Sequence, residues 1–169
     1  MKNHFLAEPA HTRSPSAPFA VLPIPFERTV SFGRGTAKAP AAILKASFQA
    51  ELFDEEFLCP LEFKAQTLPA IDCRGATRAI FNRIRSRAEG VLKAGRFLMA
   101  FGGEHSVTIP LVAAARSVHK DLCVLNLDSH LDLRDRFRGS RFSHACVFRR
   151  IMELNVHVLH AGKIGRAHV

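Results

Sequence analysis

RFLMAFGGEHSVTIPLVAAARSVHKDLCVLNLDSHLDLRDRFRGSRFSHACVFRRIMELNVHVLHA, residues 96–161, decides how this chain folds. Residues 96–101 (RFLMAF) are a short apolar run, closed by Gly102 and Gly103. A run of that length bounded by turn residues reads as a buried strand. Residues 106–119 then read as a helix, 121–127 (DLCVLNL) as a second strand, 143–154 as a helix and 155–161 (NVHVLHA) as a third strand. Strands alternating with helices build right-handed crossover units and a mostly parallel sheet covered on both faces. The expected fold class is therefore α/β, a three-layer α/β/α arrangement.

Upstream, residues 77–94 carry Ile80, Phe81, Ile84, Ala88, Val91 and Leu92 at helical spacing. Thr77 is positioned to cap that helix and Gly95 to end it. Residues 19–25 (FAVLPIP) read as another short buried strand. The glycine loop 31–36 (SFGRGT) follows, and its lack of a Lys-Ser/Thr ending makes it a tight turn rather than a phosphate cradle. Pro40 suits the first turn of a helix reaching about residue 49, with Ile43, Leu44 and Phe48 on one face. Residues 51–68 show no clear element. Residues 1–18, polar and rich in Pro and Ser, are expected to be a flexible leader, and 19–163 to belong to one domain.

Composition excludes several classes. The chain has 169 residues, 47% hydrophobic and 23% charged, which is globular rather than disordered. No apolar run approaches the roughly 18 residues of a membrane span. The N-terminus has no continuous apolar signal region, and the four cysteines form no paired motif, so a reduced, cytoplasmic protein is expected. A net charge of +9 invites a nucleic-acid partner. The arginines are scattered, however, no basic block is interleaved with aromatics, and Trp and Tyr are absent, so no nucleic-acid partner is expected.

Ligands of open α/β sheets bind at the carboxyl ends of the strands. Two loops there carry unusual chemistry. One holds His105, directly after Gly102-Gly103-Glu104; the other is Asp128-Ser129-His130-Leu131-Asp132. If the second stays extended, side chains 128, 130 and 132 point the same way. With His105 they would make a metal-ligand array of carboxylates and imidazoles. Mixed O and N donors without thiolate suit Mn²⁺ or a similar divalent ion better than structural zinc. Glu104, Arg134 and Asp135 read as loop salt bridges or outer groups of the site. Ser143 reads as an N-cap, with His144 in the first turn behind it.

Three stretches in this order resemble the ureohydrolase (arginase/agmatinase) family, and agmatinases within it: 101–106 (FGGEHS), 126–135 (NLDSHLDLRD), and 142–145 (FSHA) with Arg149-Arg150 behind it. Residues 22–26 (LPIPF), 31–36 with Pro40 and Ile43, and 51–56 (ELFDEE) fit as well. The resemblance implies an arginase/deacetylase-like three-layer fold and a pair of manganese ions. By position it implies that Asp128 bridges both ions, His105 and Asp132 serve one, and His130 the other. It makes His144 the catalytic, proton-transferring histidine. It implies hydrolysis of agmatine to putrescine and urea by a metal-bridging hydroxide, with arginine, guanidinobutyrate and formiminoglutamate as other substrates of the family. A homo-oligomer is implied for the full-length protein.

There are departures. The family's Asp-Ala-His is Asp-Ser-His here, and its Ser-His-Gly-Thr is Ser-His-Ala-Cys. The family's later Ser-x-Asp-x-Asp motif, which supplies two more carboxylates, is absent from these residues. Asp128 and Asp132 supply −2 against the +4 of two divalent ions, so further anions are required. The chain therefore reads as a truncated, N-terminal part of a ureohydrolase, inactive by itself. Residues 164–169 (IGRAHV) match the translation of a short-read sequencing adapter (ATC GGA AGA GCA CAC GTC) and are expected to be a non-native tail. A metallophosphoesterase and a non-catalytic binding module are the rival readings. The first lacks its Asn-His-Asp/Glu motif here, and the intact ligand set argues against the second.

Overall fold

The computed structural model describes residues 4–6, 16–61 and 64–163. The tail at 164–169 and most of the stretch read as a leader lie outside them. The elements are β1 (Phe19–Ile24), α1 (Ala39–Ala46), β2 (Phe53–Asp54), β3 (Cys59–Pro60), β4 (Ala65–Thr67), α2 (Thr77–Lys93), β5 (Phe97–Gly102), α3 (Thr108–Val118), β6 (Cys123–Leu127), α4 (Val147–Met152) and β7 (His157–Ala161). Single 3₁₀ turns lead into α1, α3 and α4.

β1 lies between β4 and β5, parallel to both, in the order β4-β1-β5. β6 and β7 pair in parallel as a separate ribbon. The fold is α/β with parallel strands, as the alternating pattern requires. It differs from the expected single sheet in one respect: β5 and β6 share no ladder among the described residues. The stretch 51–68, unassigned from sequence, holds the small antiparallel β2-β3 pair and β4.

Layering follows from side-chain alternation along β1. Leu22 and Ile24 join Ile80, Ile84, Val112, Phe148 and Ile151 in the main core. Val21, on the opposite face, packs with Leu44 of α1, Ala65, Met99 and Phe101. β1 is thus the middle of three layers, which explains its near-continuous apolar run. The β6-β7 ribbon is covered on one face only: Val124 and Val158 pack on the main core, while Leu125, Leu127 and Leu159 are exposed.

Helix α2 buries Ile80, Phe81, Ile84, Ala88 and Val91, as its spacing predicts, and Gly95 ends it at φ +70°. Its cap does not follow the expectation. Ala76 occupies the N-cap, and Thr77, one residue inside the helix, accepts a hydrogen bond from Arg28 Nη1 at 3.3 Å. On α1 only Leu44 of the expected face is buried; Ile43 and Phe48 are exposed. The eight-residue helix tightens into a 3₁₀ turn at Ser47–Gln49, which rotates Phe48 off the α-helical stripe. Residues 4–6 dock through Phe5 N–H to Thr67 Oγ1 and Leu6 N–H to Ser47 Oγ, both 2.9 Å. Among the described residues no helix is long and apolar enough to cross a membrane.

The β1 and β5 ends are bound tightly. Gly103 N–H donates to Ile24 O at 3.0 Å and Glu104 N–H to Phe26 O at 2.9 Å. A Cβ on Gly103 would meet the Phe26 carbonyl oxygen at 2.1 Å. The obstacle is backbone, so the strands themselves must shift. Gly103→Ala is expected to destabilise the protein by about 1–3 kcal/mol or more, the scale of overpacking. Urea-denaturation midpoints test this; an unchanged midpoint refutes the close approach.

Candidate metal centre

The site sits where β5 and β6 end. Strand β5 stops at Gly102, and the chain turns through Gly103 and Glu104 into the 3₁₀ turn that presents His105. Strand β6 stops at Leu127, and Asp128 follows at its tip, held by its N–H to Ala161 O at 3.0 Å.

His105, Asp128 and Asp132 converge. One ligand atom from each lies within 4.8 Å of the others, and all three side chains are half-buried. His105 Nδ1 is 2.7 Å from Asp132 Oδ2. The extended geometry expected of residues 128–132 does not hold. Asp132 adopts φ +45°, a left-handed conformation uncommon outside glycine and tolerated best by Asn and Asp. The loop bends so that Asp128 and Asp132 face His105. Phe148 N–H donating to Asp132 O at 3.1 Å and Arg134 N–H donating to Ala145 O at 3.2 Å pin the bend to the next helix.

His130 is not brought into that cluster. Asp128 Oδ1 accepts the His130 backbone N–H at 2.9 Å, an Asx turn that reverses the chain. The imidazole lies outside it, 78% exposed, with Nδ1 3.1 Å from the same carboxylate oxygen. Burial raises the Asp128 carboxyl pKa; the His130 backbone and ring, with His105 beyond, more than offset this and hold it below its ordinary value. Asp128 therefore stays a ready anionic ligand at neutral pH. One imidazole and two carboxylates fit a single divalent ion of the Mn²⁺ class. A second ion would have Asp128 and His130 from these residues and would need further anions.

His144 lies in the 3₁₀ turn before α4, behind Ser143, whose hydroxyl accepts Ala145 N–H at 3.3 Å as a cap. Its environment includes Thr29, which sequence spacing did not single out, and Ser31, from the loop read as a tight turn. His144 N–H donates to Thr29 Oγ1 at 2.9 Å, and Ser31 Oγ lies 3.0 Å from His144 Nε2. No local signal in the sequence joins residue 29 to residue 144. Glu104 is buried and hydrogen-bonded to the 28–29 loop, with no ion pair among the described residues. Arg134 stacks on Phe137, its guanidinium carbon 4.9 Å from the ring centroid. Asp135 makes the expected salt bridges, to Arg150 at 2.6 Å and Arg141 at 3.5 Å.

The Arg150 and Arg141 guanidinium groups hold the Asp135 carboxyl below its ordinary pKa, the Arg150 hydrogen bond chiefly. A depressed carboxyl stabilises the fold above the unfolded-state pKa and loses that contribution as pH falls through the folded value. Asp135→Asn is therefore expected to lower stability at neutral pH, and to converge with the unmodified chain as pH drops below about 4. Denaturation midpoints measured across that range check the convergence; parallel curves contradict it.

One imidazole and two carboxylates gathered at the carboxyl ends of the parallel strands β5 and β6 make a candidate metal-binding site. The chain belongs to the arginase family, whose profile matches residues 17–166. It is 34% identical over 167 residues to the N(1)-aminopropylagmatine ureohydrolase of Synechocystis sp., covering 92% of this chain and 53% of that protein. It is 38% identical over 136 residues to the enzyme of the same name from Thermus thermophilus, covering 78% and 46%. Its fold matches the crystal structure of agmatine ureohydrolase from Thermoplasma volcanium with a TM-score of 0.78 and 26% identity, covering 91% of this chain and 51% of that one. The chain thus spans about half the length of the curated relatives it matches.

Proposed function

We propose that the protein of which this chain forms a part hydrolyses the C–N bond of a linear guanidino compound, with agmatine or an N-substituted agmatine as substrate and Mn²⁺ as the metal. Water and the guanidinium yield urea and a primary ammonium, putrescine when the substrate is agmatine. The observation that carries the reading is the convergence of His105, Asp128 and Asp132 on one point. The names of the similar ureohydrolases supply the substrate class.

His105, Asp128 and Asp132 would hold the first ion, with His130 and Asp128 offering donors toward a second. When bound, such ions lower the pKa of water so that a nucleophile exists at neutral pH. His144 has both ring nitrogens within reach of hydroxyl groups, and it serves as the proton-transfer group for the departing amine. The carboxylates of this chain balance one divalent charge, not two, so the chain by itself is expected to bind metal weakly and release no urea. A full-length homo-oligomer in the cytoplasm, with neither nucleic acid nor membrane as partner, completes the reading.

Urea release by the full-length gene product, supplied with Mn²⁺ and offered agmatine, N(1)-aminopropylagmatine and arginine in turn, tests the proposal. Turnover of an agmatine-type substrate above arginine supports it. No urea from any of the three overturns it.

A further inference from the structure

We propose that Glu104 and Thr29 are positioning residues that hold the His144 ring with its proton on Nδ1, leaving Nε2, opposite the Ser31 hydroxyl, as the proton-accepting atom. The inference deepens the functional reading and rests on His144 being the proton-transfer group.

Glu104 is 4% exposed, and its carboxylate is fully engaged. Oε2 accepts the backbone N–H groups of Arg28 and Thr29, each at 2.6 Å. Oε1 accepts the hydroxyls of Thr29 at 2.7 Å and Ser106 at 2.6 Å. The Thr29 hydroxyl has one proton, and Glu104 takes it. Its oxygen is then limited to accepting. It accepts His144 N–H at 2.9 Å and lies 3.3 Å from His144 Nδ1. An acceptor at that place favours a protonated Nδ1. The neighbouring Ser143 Oγ, also 3.3 Å from Nδ1, already accepts Ala145 N–H and has one lone pair left for Nδ1–H. In the neutral ring Nε2 then carries the lone pair, and the Ser31 hydroxyl at 3.0 Å donates to it.

The residues concerned come from three separate parts of the chain. Ser31 lies on an exposed loop, so its hydroxyl marks the side from which Nε2 is reached. The buried carboxylate is beside His105, so one short segment positions both the metal ligand and, through Thr29, the proton-transfer ring.

The test reads the tautomer directly, without metal or substrate. In the full chain labelled with ¹⁵N-histidine at neutral pH, long-range ¹H–¹⁵N spectra are expected to show His144 protonated on Nδ1. Thr29→Val is expected to move the population toward the Nε2–H form, and Thr29→Ser to keep it. A wild-type ring protonated on Nε2, or a tautomer unaffected by Thr29→Val, overturns the proposal. Ser31→Ala, on the exposed loop, serves should Thr29→Val not fold: the Nε2 resonance is expected to move with Nδ1–H retained, and an unmoved resonance overturns the proposal. In the full-length enzyme Thr29→Val is expected to lower kcat about tenfold or more, part of the ~10²–10⁴ supplied by a positioned acid–base group, with KM little changed. The expected tautomers with undiminished kcat in both Thr29→Val and His144→Ala would support the relay and overturn the catalytic reading of His144.

Discussion

In the full-length protein, Asp128→Asn is expected to weaken Mn²⁺ binding by more than about 100-fold, beyond the 10–100-fold typical of groups that only orient ligands. The amide keeps the shape of the carboxylate and its bond from the His130 N–H, so the Asx turn survives. What disappears is a negative charge at the point where His105 and Asp132 also arrive. One of the two anions that these residues bring to the site is lost, and only Asp132 is left to offset a divalent ion from this side. Titration followed by electron paramagnetic resonance of free Mn²⁺ measures the change, and circular dichroism confirms that the fold is retained. A fall of less than tenfold with the fold intact would remove Asp128 from the site. The same titration on His130→Ala is informative by contrast: a side chain outside the cluster should cost the first ion far less.

Phe148→Ala is expected to destabilise the protein by about 3–5 kcal/mol, the range for removing a buried phenylalanine. Phe148 is 1% exposed and belongs to the main core with Leu22, Ile84 and Val112. Its ring also stands edge-on to two histidines, with centroids 5.5 Å from His105 and 4.6 Å from His160. Its backbone N–H holds Asp132. Loss of the ring therefore opens a cavity directly behind His105 and Asp132. Phe148→Leu keeps most of the volume and should recover much of the stability while leaving the His105 ring less confined. Thermal unfolding ranks the variants; Phe148→Ala within about 1 kcal/mol of the parent would show that the site collapses to fill the space.

Much of this architecture could be read along the chain. β1, α2, β5, β6 and β7 lie within a residue or two of where apolar periodicity placed them, because burial of a face is a local property of spacing. Gly95 ends α2 for a reason visible in one residue. The β2-β3 pair and β4 were not legible, since elements of two or three residues carry too little pattern. The uncovered face of β6-β7 was also hidden: Leu125, Leu127 and Leu159 look like core residues in any window.

At the site the sequence by itself determined the donor chemistry and its place at strand ends. Alternation of strands and helices brings successive loops to the same end of the parallel strands, so the pattern placed His105 and the Asp128–Asp132 segment on one side of the fold. Tertiary structure alone decided which side chains face one another. The left-handed turn at Asp132 and the Asx turn at Asp128 aim two carboxylates at His105 and send His130 outward. Contacts from Thr29 to Glu104 and His144 span 75 and 115 positions. Periodicity records what each segment buries against its own neighbours; it holds no information about the φ of one loop residue or about a hydroxyl that reaches its partner only after the sheet has assembled.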